Sequence, residues 1–395
     1  MRRWLFVSVL GCAGPAQKDA SVPQHTPDSG DTAQDTGADV AFGPVSIDPN
    51  AKPPTLLSQT QLLRWNGVSF EHNKGVIPYD VATPLFSDMA LKHRTIWVPE
   101  GQTIQYTDQG VFDFPVGTVI TKSFLFPADL RHPTDGLRLI ETRLLIRGQD
   151  EWAAWPYIWD EAGTDAVLDV TGEVLEISLV DLNGTAQISN YLIPQRNQCV
   201  ECHEVRQTDG SREMTLIGPK ARWLNRTFDY GEGPVNQLSA MAEWGILSGL
   251  PELSEVPTAT DFFSVAAQVR AEGVASLSST ARDEAARDYL DANCAHCHNE
   301  GAVEGVSSQL WLNHDATDMF HLGVCKRPSS AGEGTGGLDY DIVPGAHAQS
   351  ILWYRTATTD VGAMMPQIGR SLSDEVGAVL IASWIDNLPS ADCSE

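Results

Sequence analysis

The chain is poor in cysteine, histidine and basic residues. Cysteine occupies 7 and histidine 10 of the 395 positions, and 26 lysines and arginines stand against 52 acidic residues, which gives a formal net charge of -26. This negative surplus disfavours nucleic-acid binding and favours the attraction of cationic partners. The chain also lacks a G-x-S-x-G elbow, a phosphate-binding loop and the flavin or nicotinamide fingerprints, which excludes the chemistry that those motifs support.

Most of the cysteines fall in a pentapeptide pattern that occurs twice. The two copies are Cys199-Val-Glu-Cys202-His203 and Cys294-Ala-His-Cys297-His298. Both match C-x-x-C-H, in which two thiols attach one porphyrin by thioether bonds and the next imidazole ligates its iron. A thioredoxin-type pair, or a zinc site shared by the four cysteines, does not need a histidine directly after each second cysteine. The pattern therefore predicts two covalently bound haem c groups, with His203 and His298 as iron ligands.

The N-terminal residues predict export and a lipid anchor. Residues 1–12 combine two arginines with a short apolar stretch that is too short to span a bilayer. The segment Val9-Leu10-Gly11-Cys12 resembles a bacterial lipobox, so residues 1–12 are predicted to be a lipoprotein signal peptide and Cys12 to carry the lipid. A plain signal peptide cut after Ala13 or Ala16 is the alternative. Residues 13–49 are rich in Asp, Ser, Thr, Gly and Pro and predict a disordered tether to the membrane, in the periplasm or at the outer membrane.

The remaining cysteines are Cys325 and Cys393. If four of the seven cysteines attach haem and one carries lipid, these two are left and could form a disulfide in an exported protein. Such a bridge would tie the C-terminal tail to the second haem region. Two free thiols are the alternative.

The rest of the chain predicts several domains. Residues 50–194 carry short β-rich runs between turns, which predicts an all-β, sandwich-like domain with strands at 95–98, 119–126, 137–146, 166–170, 174–180 and 186–193. The tryptophans of this region are predicted core residues, namely Trp152, Trp155 and Trp159. Residues 195–275 form a connector with the first haem motif, and residues 279–390 form a mainly helical second haem region.

From Ser279 onward the sequence resembles a class I cytochrome c domain. A helix over residues 281–293, capped by Ser279 or Thr280, leads directly into the second motif. A helix over residues 373–388 would cross it with one apolar face, made of Val376, Val379, Leu380, Trp384 and Leu388.

Few residues qualify as the sixth iron ligands. Met365, which precedes Pro366, is the predicted second ligand of the second haem, and Met364 is its nearest rival. For the first haem the candidates are His93 and Met214, with a slight preference for His93. Met214 could instead be packing and His93 a surface group, and the sixth site of the first haem could be open.

Several strings outside the haem motifs resemble a family of uncharacterised bacterial dihaem c-type cytochromes. They are Pro84-Leu-Phe-Ser-Asp88, Val111-Phe-Asp-Phe-Pro-Val-Gly117, Ile140-Glu-Thr-Arg-Leu144, Ile217-Gly-Pro-Lys-Ala221 and Asn293-Cys-Ala-His-Cys-His-Asn299. The likeness runs from about residue 60 to residue 388. It implies electron transfer through two haems, attached at Cys199, Cys202 and His203 and at Cys294, Cys297 and His298.

The motifs and the resemblance together favour an electron carrier in the cell envelope that exchanges electrons with a redox partner protein. One alternative is an enzyme, a dihaem peroxidase-like oxidoreductase in which one haem keeps an open site. Another is a module in which the β-rich domain docks an envelope partner and is wired to the haems. No catalytic side chain is predicted.

Overall fold

The computed structural model describes residues 41–206, 209–301, 309–329 and 331–393. The predicted signal peptide, Cys12 and residues 13–40 of the predicted tether lie outside the described residues. A sheet-rich N-terminal region is followed by a helical C-terminal region, so the protein is multidomain, as the sequence predicts. No helix among the described residues is long and apolar enough to cross a membrane.

The strands all lie in the first 250 residues. In chain order they are β1 Leu63–Trp65, β2 Phe70–His72, β3 Val76–Tyr79, β4 Leu91–Trp97, β5 Ile104–Gln105, β6 Val119–Phe126, β7 Arg138–Arg147, β8 Trp152–Trp159, β9 Ala166–Leu168, β10 Glu173–Val180, β11 Ala186–Ile193, β12 Glu204–Arg206, β13 Arg212–Met214, β14 Thr227–Asp229, β15 Pro234–Asn236 and β16 Leu247–Ser248.

The helices are concentrated at the C-terminal end. In chain order they are α1 Val200–His203, α2 Ala221–Leu224, α3 Gln237–Glu243, α4 Phe262–Glu272, α5 Ser279–Asn293, α6 Ile351–Ala357 and α7 Glu375–Asn387. Short 3-10 turns occupy Leu57–Thr60, Arg196–Cys199, Leu253–Glu255, Val274–Ser276, Gly332–Thr335 and His347–Gln349.

One antiparallel sheet organises the N-terminal region. Its six strands run in the order β3-β4-β6-β7-β8-β9. One face packs on the β1–β2 hairpin through Phe70, Leu125, Leu144 and Tyr157. The other face packs at one end on the β10–β11 hairpin, where Phe124 and Phe126 meet Tyr191 and Ile193. The predicted all-β region is confirmed, but its second layer among the described residues is a hairpin and not a full second sheet.

Strand β8 was not among the predicted strands, although its tryptophans were placed in the core. Trp152 and Trp159 are buried at 7% exposure each, whereas Trp155 is half-buried. Pro156 obscures the strand pattern because proline cannot donate a ladder hydrogen bond. The strand nevertheless pairs along its length with β7, and Pro156 lies opposite Arg143.

The segment after the sheet shares a core with it. Trp223, Leu238 and Met241 from the predicted connector pack with Ile96 and Ile120 of the sheet. Helix α3 ends at Glu243 and is followed by the two-residue strand β16, which pairs with β5. The first C-x-x-C-H motif is therefore followed by residues that pack on the sheet.

Helices α5 and α7 cross in the C-terminal region, as expected. Ser278 caps α5 through its hydroxyl, which accepts from the Ala281 amide at 3.1 Å, one residue earlier than predicted. The helices approach closely where Gly377 faces Tyr289, because any side chain on Gly377 would overlap the Tyr289 ring. The predicted apolar face of α7 was wrong at Val379, which is 40% exposed, while Ile381 and Ile385 are buried.

The C-terminal tail is covalently joined to the helical region. Cys325 and Cys393 form a disulfide, with their Cα atoms 4.8 Å apart. This is one of the two arrangements that the cysteine count left open.

Buried polar side chains join the two regions. The Asp88 carboxylate, which is fully buried, accepts from the Ser371 amide at 2.7 Å, the Leu372 amide at 2.8 Å and the Ser371 hydroxyl at 2.7 Å. The Asn293 side-chain oxygen accepts from the Phe86 amide at 2.6 Å. These bonds fix the orientation of the helical region on the sheet-rich region.

Candidate functional site

The first motif lies in a short helical segment that leaves the sheet. Cys199 ends a 3-10 turn, and α1 carries Cys202 and His203. The chain then forms the β12–β13 hairpin and returns, so that Thr215 lies beside His203.

The ring of His203 is oriented by the backbone. Its Nδ1 is 2.8 Å from the Thr215 carbonyl oxygen, and a carbonyl can only accept, so Nδ1 carries the proton and donates. Burial lowers the pKa of His203 to about 4, which keeps the ring neutral. The lone pair of Nε2 is thereby free, which is the tautomer that a metal-ligating histidine needs.

The second motif begins where α5 ends. The His298 and Cys297 amides both donate to the Cys294 carbonyl, at 2.9 and 3.1 Å, so the motif is a further helical turn. This spacing places residues three and four apart on one side of the turn. Burial lowers the pKa of His298 to about 4, so this ring is neutral as well.

The fold brings the two motifs together. The Cys297 thiol lies 3.4 Å from the Glu201 carbonyl oxygen, across 96 residues of sequence. The donor atoms of Cys202, His296 and Cys297 all lie within 4.8 Å of one another, and we call these three residues the motif junction. A hydrogen bond joins the two thiols, and it lowers the pKa of Cys202 and raises that of Cys297.

The residues present fit two haem c groups better than a zinc ion shared by the four cysteines. The motif junction contains only one cysteine from each motif and leaves out Cys199 and Cys294. All four motif cysteines are free of disulfides and half-buried. Burial raises the pKa of Cys294 to about 12 and also raises that of Cys199, so both keep the thiol proton. Each motif thus presents two thiols and one neutral imidazole.

Met365 lies in a loop next to the second motif. Its amide donates to the Arg355 carbonyl at 2.8 Å, and its carbonyl accepts from Arg370 Nε at 2.9 Å. Arg355 is close enough to His298 for its charge to lower the pKa of that ring, after burial and His296. Met364 points into the interior at 7% exposure, whereas Met365 is half-buried. The loop is therefore linked through Arg355 to the surroundings of His298, and Met365 is its more accessible thioether.

The structure does not bring His93 to the first motif. Its ring stacks on Phe70, and its Nε2 is 2.8 Å from Nε2 of His72. His93 pairs with Ser123 across β4 and β6. Lys122 is adjacent to Ser123 in β6 and therefore projects from the opposite face, and it is the Lys122 charge that acts on the pKa of His203. Burial lowers the pKa of His93 to about 3.

Met214 lies near the backbone of His203. It pairs with Glu204, the residue after His203, and it packs partly buried against the core shared by the sheet and the connector. The sixth ligand of the first haem stays an open prediction.

A row of cations on the sheet faces the first motif, and the sequence reasoning missed it. Arg94, Lys122 and Arg143 lie directly opposite one another on β4, β6 and β7, and we call them the basic row. Lys92 projects from the same face two residues from Arg94. The sequence did carry a signal for this row, namely a lysine or arginine within each of three strands that are otherwise rich in apolar residues. Such residues are rarely buried without a partner.

The basic row lies close to the motif. The charge of Lys122 acts on the pKa of His203, and that of Arg143 on the pKa of Cys199. Burial, followed by repulsion from Arg94, lowers the pKa of Lys92 to about 7 and lowers that of Lys122 well below its usual value. Both lysines are nevertheless half-buried, so part of each residue stays accessible to solvent.

Comparisons with protein-family models, curated proteins and solved structures find no match to this chain. The function is therefore inferred from its own residues.

Proposed function

We propose that the protein is a dihaem c-type cytochrome that transfers electrons in the bacterial cell envelope, with haem one at Cys199, Cys202 and His203 and haem two at Cys294, Cys297 and His298. The observation that carries this proposal is the motif junction, in which two attachment motifs distant in sequence meet in space. The haem irons would supply one-electron redox chemistry. The protein residues attach, orient and shield the two groups.

The motif junction favours exchange of electrons between the two sites. Cys202 and Cys297, the second attachment cysteine of each motif, are within 4.8 Å of each other at their sulfur atoms. Groups attached through these sulfurs would share a boundary formed by Cys202, His296 and Cys297. A pair of haems that adjoin in this way can pass an electron without a third carrier.

Three further features support the proposal. The Thr215 carbonyl fixes His203 in the tautomer that a ligand requires. Helix α5 leads directly into the second motif and crosses α7, an arrangement that agrees with a cytochrome c-like C-terminal domain and with the proposed membership of the bacterial dihaem cytochrome family. The Met365 loop is hydrogen-bonded to Arg355, whose charge acts on the pKa of His298, and Met365 would provide a thioether as sixth ligand of haem two.

Haem attachment implies export, and lipidation at Cys12 would tether the protein to the membrane in the periplasm or at the outer membrane. A redox partner protein is then required, and the acidic charge of the chain favours a cationic one.

The test is a haem count followed by EPR on the purified holoprotein. We expect two haems per chain by pyridine haemochrome, and EPR signals of the two ferric irons that interact with each other. Cys199→Ser/Cys202→Ser and Cys294→Ser/Cys297→Ser should each leave one haem and abolish the interaction. Cys325→Ser/Cys393→Ser is the matched control and should keep both haems.

Bound zinc with no haem would overturn the proposal. Two haems with independent EPR signals would keep haem binding but refute direct exchange across the motif junction. A high-spin haem one that reacts with peroxide would favour the enzyme instead.

A further inference from the structure

We propose that Lys122 and Lys92 bind the propionate carboxylates of haem one, so that the basic row is the anion-binding wall of its pocket; this inference rests on the proposed function. The ligand chemistry is that of a carboxylate or similar oxyanion. The propionates are its source in this proposal because they belong to the group attached at the adjacent motif.

The first argument is the arrangement of like charges. Arg94 is directly opposite Lys122, and Lys122 is directly opposite Arg143, on three neighbouring strands. Like charges in directly opposite positions destabilise a sheet. Three cations in one row on an interior face therefore require negative charge close by.

The carboxylates on this face are already occupied by the arginines. Glu141 accepts from Arg143 Nε at 2.8 Å and Nη2 at 2.6 Å, and also from the Tyr191 hydroxyl at 2.7 Å. Asp80 accepts from Arg94 at 2.9 Å and from Arg226 at 3.2 Å. Both arginines of the basic row thus have partners within the protein.

The two lysines differ from the arginines. Among the described residues neither Lys92 nor Lys122 has a hydrogen-bond or ion-pair partner, and the Lys122 ammonium lies 4.9 Å from the centroid of the Phe124 ring. The nearest further carboxylates are bound elsewhere, since Asp88 is held by Ser371 and Leu372 and Asp374 caps α7. A half-buried ammonium group that has no partner in the protein is free to donate a charge-assisted hydrogen bond to an incoming carboxylate.

The location of the lysines identifies the carboxylate. The basic row occupies the sheet face between Ile96 and Ile120 on one side and Phe124 on the other. The charges of Lys122 and Arg143 act from this face on His203 and Cys199 of the first motif. Each haem carries two propionates at the edge opposite its thioether bonds, and burial of that edge needs cations. The chain has an overall charge of -26, so cations gathered at this one interior place are the complement that the propionates need.

The test uses holoprotein whose haem propionates carry carbon-13 at the carboxyl carbon, observed by infrared difference spectroscopy between the oxidised and reduced states. Lys122→Met should shift the propionate carboxylate bands, and Lys122→Arg should restore them towards wild type. The matched control Lys74→Met, at an exposed position on the turn before β3, should leave the bands unchanged.

A second readout is the potential of haem one. Loss of the Lys122 charge should lower the ratio of reduced to oxidised haem one about tenfold at a fixed potential. This change corresponds to a reduction potential lower by about 59 mV for a one-electron couple. The potential of haem two should change less. Lys92→Met should act in the same direction.

The outcomes separate this inference from the proposed function. Wild-type protein without haem would sink the proposed function itself. With two haems present, propionate bands that do not respond to Lys122→Met would overturn the inference. If added formate then perturbs haem one in wild type but not in Lys122→Met, the lysines serve a diffusible oxyanion instead. If Lys122→Met does not retain haem one, the inference requires that Lys122→Arg retains it. Loss of haem one in both variants would contradict the inference and assign Lys122 a role in folding alone.

Discussion

The crossing of α5 and α7 gives the sharpest stability prediction. Gly377→Ala adds one methyl group to α7 at the point where that helix meets Tyr289, and the phenol oxygen would be 2.5 Å from the new carbon. Two effects oppose each other. Alanine is better than glycine inside a helix by about 1 kcal/mol. Overpacking of a filled core costs about 1–3 kcal/mol.

The cost of overpacking should exceed the gain in helix propensity because the Tyr289 ring cannot move aside. Tyr289 is only 4% exposed and packs against Phe262, with ring centroids 5.7 Å apart. The upper end of the overpacking range therefore applies. Set against the gain in helix propensity, it leaves a net loss of about 2 kcal/mol in the free energy of unfolding.

Equilibrium unfolding in denaturant, followed by circular dichroism of the holoprotein, measures this loss. Gly362→Ala is the matched control, since no atom lies within 4 Å of its added methyl group. In a Tyr289→Ala background, Gly377→Ala should become stabilising by about 1 kcal/mol. A Gly377→Ala protein that is at least as stable as wild type would refute the close crossing.

Two further predictions concern the C-terminal region. Met365→Ala should remove the methionine-to-iron absorption band of haem two and allow cyanide to bind its iron, whereas Met364→Ala should keep the band. The reverse result would identify Met364 as the ligand. Cys325→Ser/Cys393→Ser should lower the free energy of unfolding by about 4 kcal/mol, because the bridge closes a loop across a sequence separation of 68. A loss below about 1 kcal/mol in denaturant titrations would show that the loop is already restrained by other contacts.

The sequence predicted the helices and strands whose formation depends on residues close together in the chain. Helix α5 and its continuation into Cys294 follow from an N-cap serine and from a motif that is itself a helical turn. The strands β6 and β7 follow from runs of β-branched and aromatic residues. Ile381 and Ile385 of α7 were missed because the apolar residues of this helix cover more than one face, and periodicity alone does not choose among them.

The parts that were missed depend on contacts between distant residues. His93 was an attractive ligand in the sequence, but strand alternation turns it to the opposite face from its neighbours Lys92 and Arg94. The basic row could not be read from the sequence because it needs the register of three strands. The motif junction needs the whole fold, since 96 residues separate Glu201 from Cys297.

The Asp88 carboxylate bears on the order of events during synthesis. Its partners Ser371 and Leu372 follow it by 283 and 284 residues and are therefore made long after it. Until they are present, the helical region cannot dock on the sheet-rich region through this group. Docking of the helical region through this buried carboxylate is therefore a late step in the assembly of the fold, because it needs two residues that lie far along the chain from Asp88.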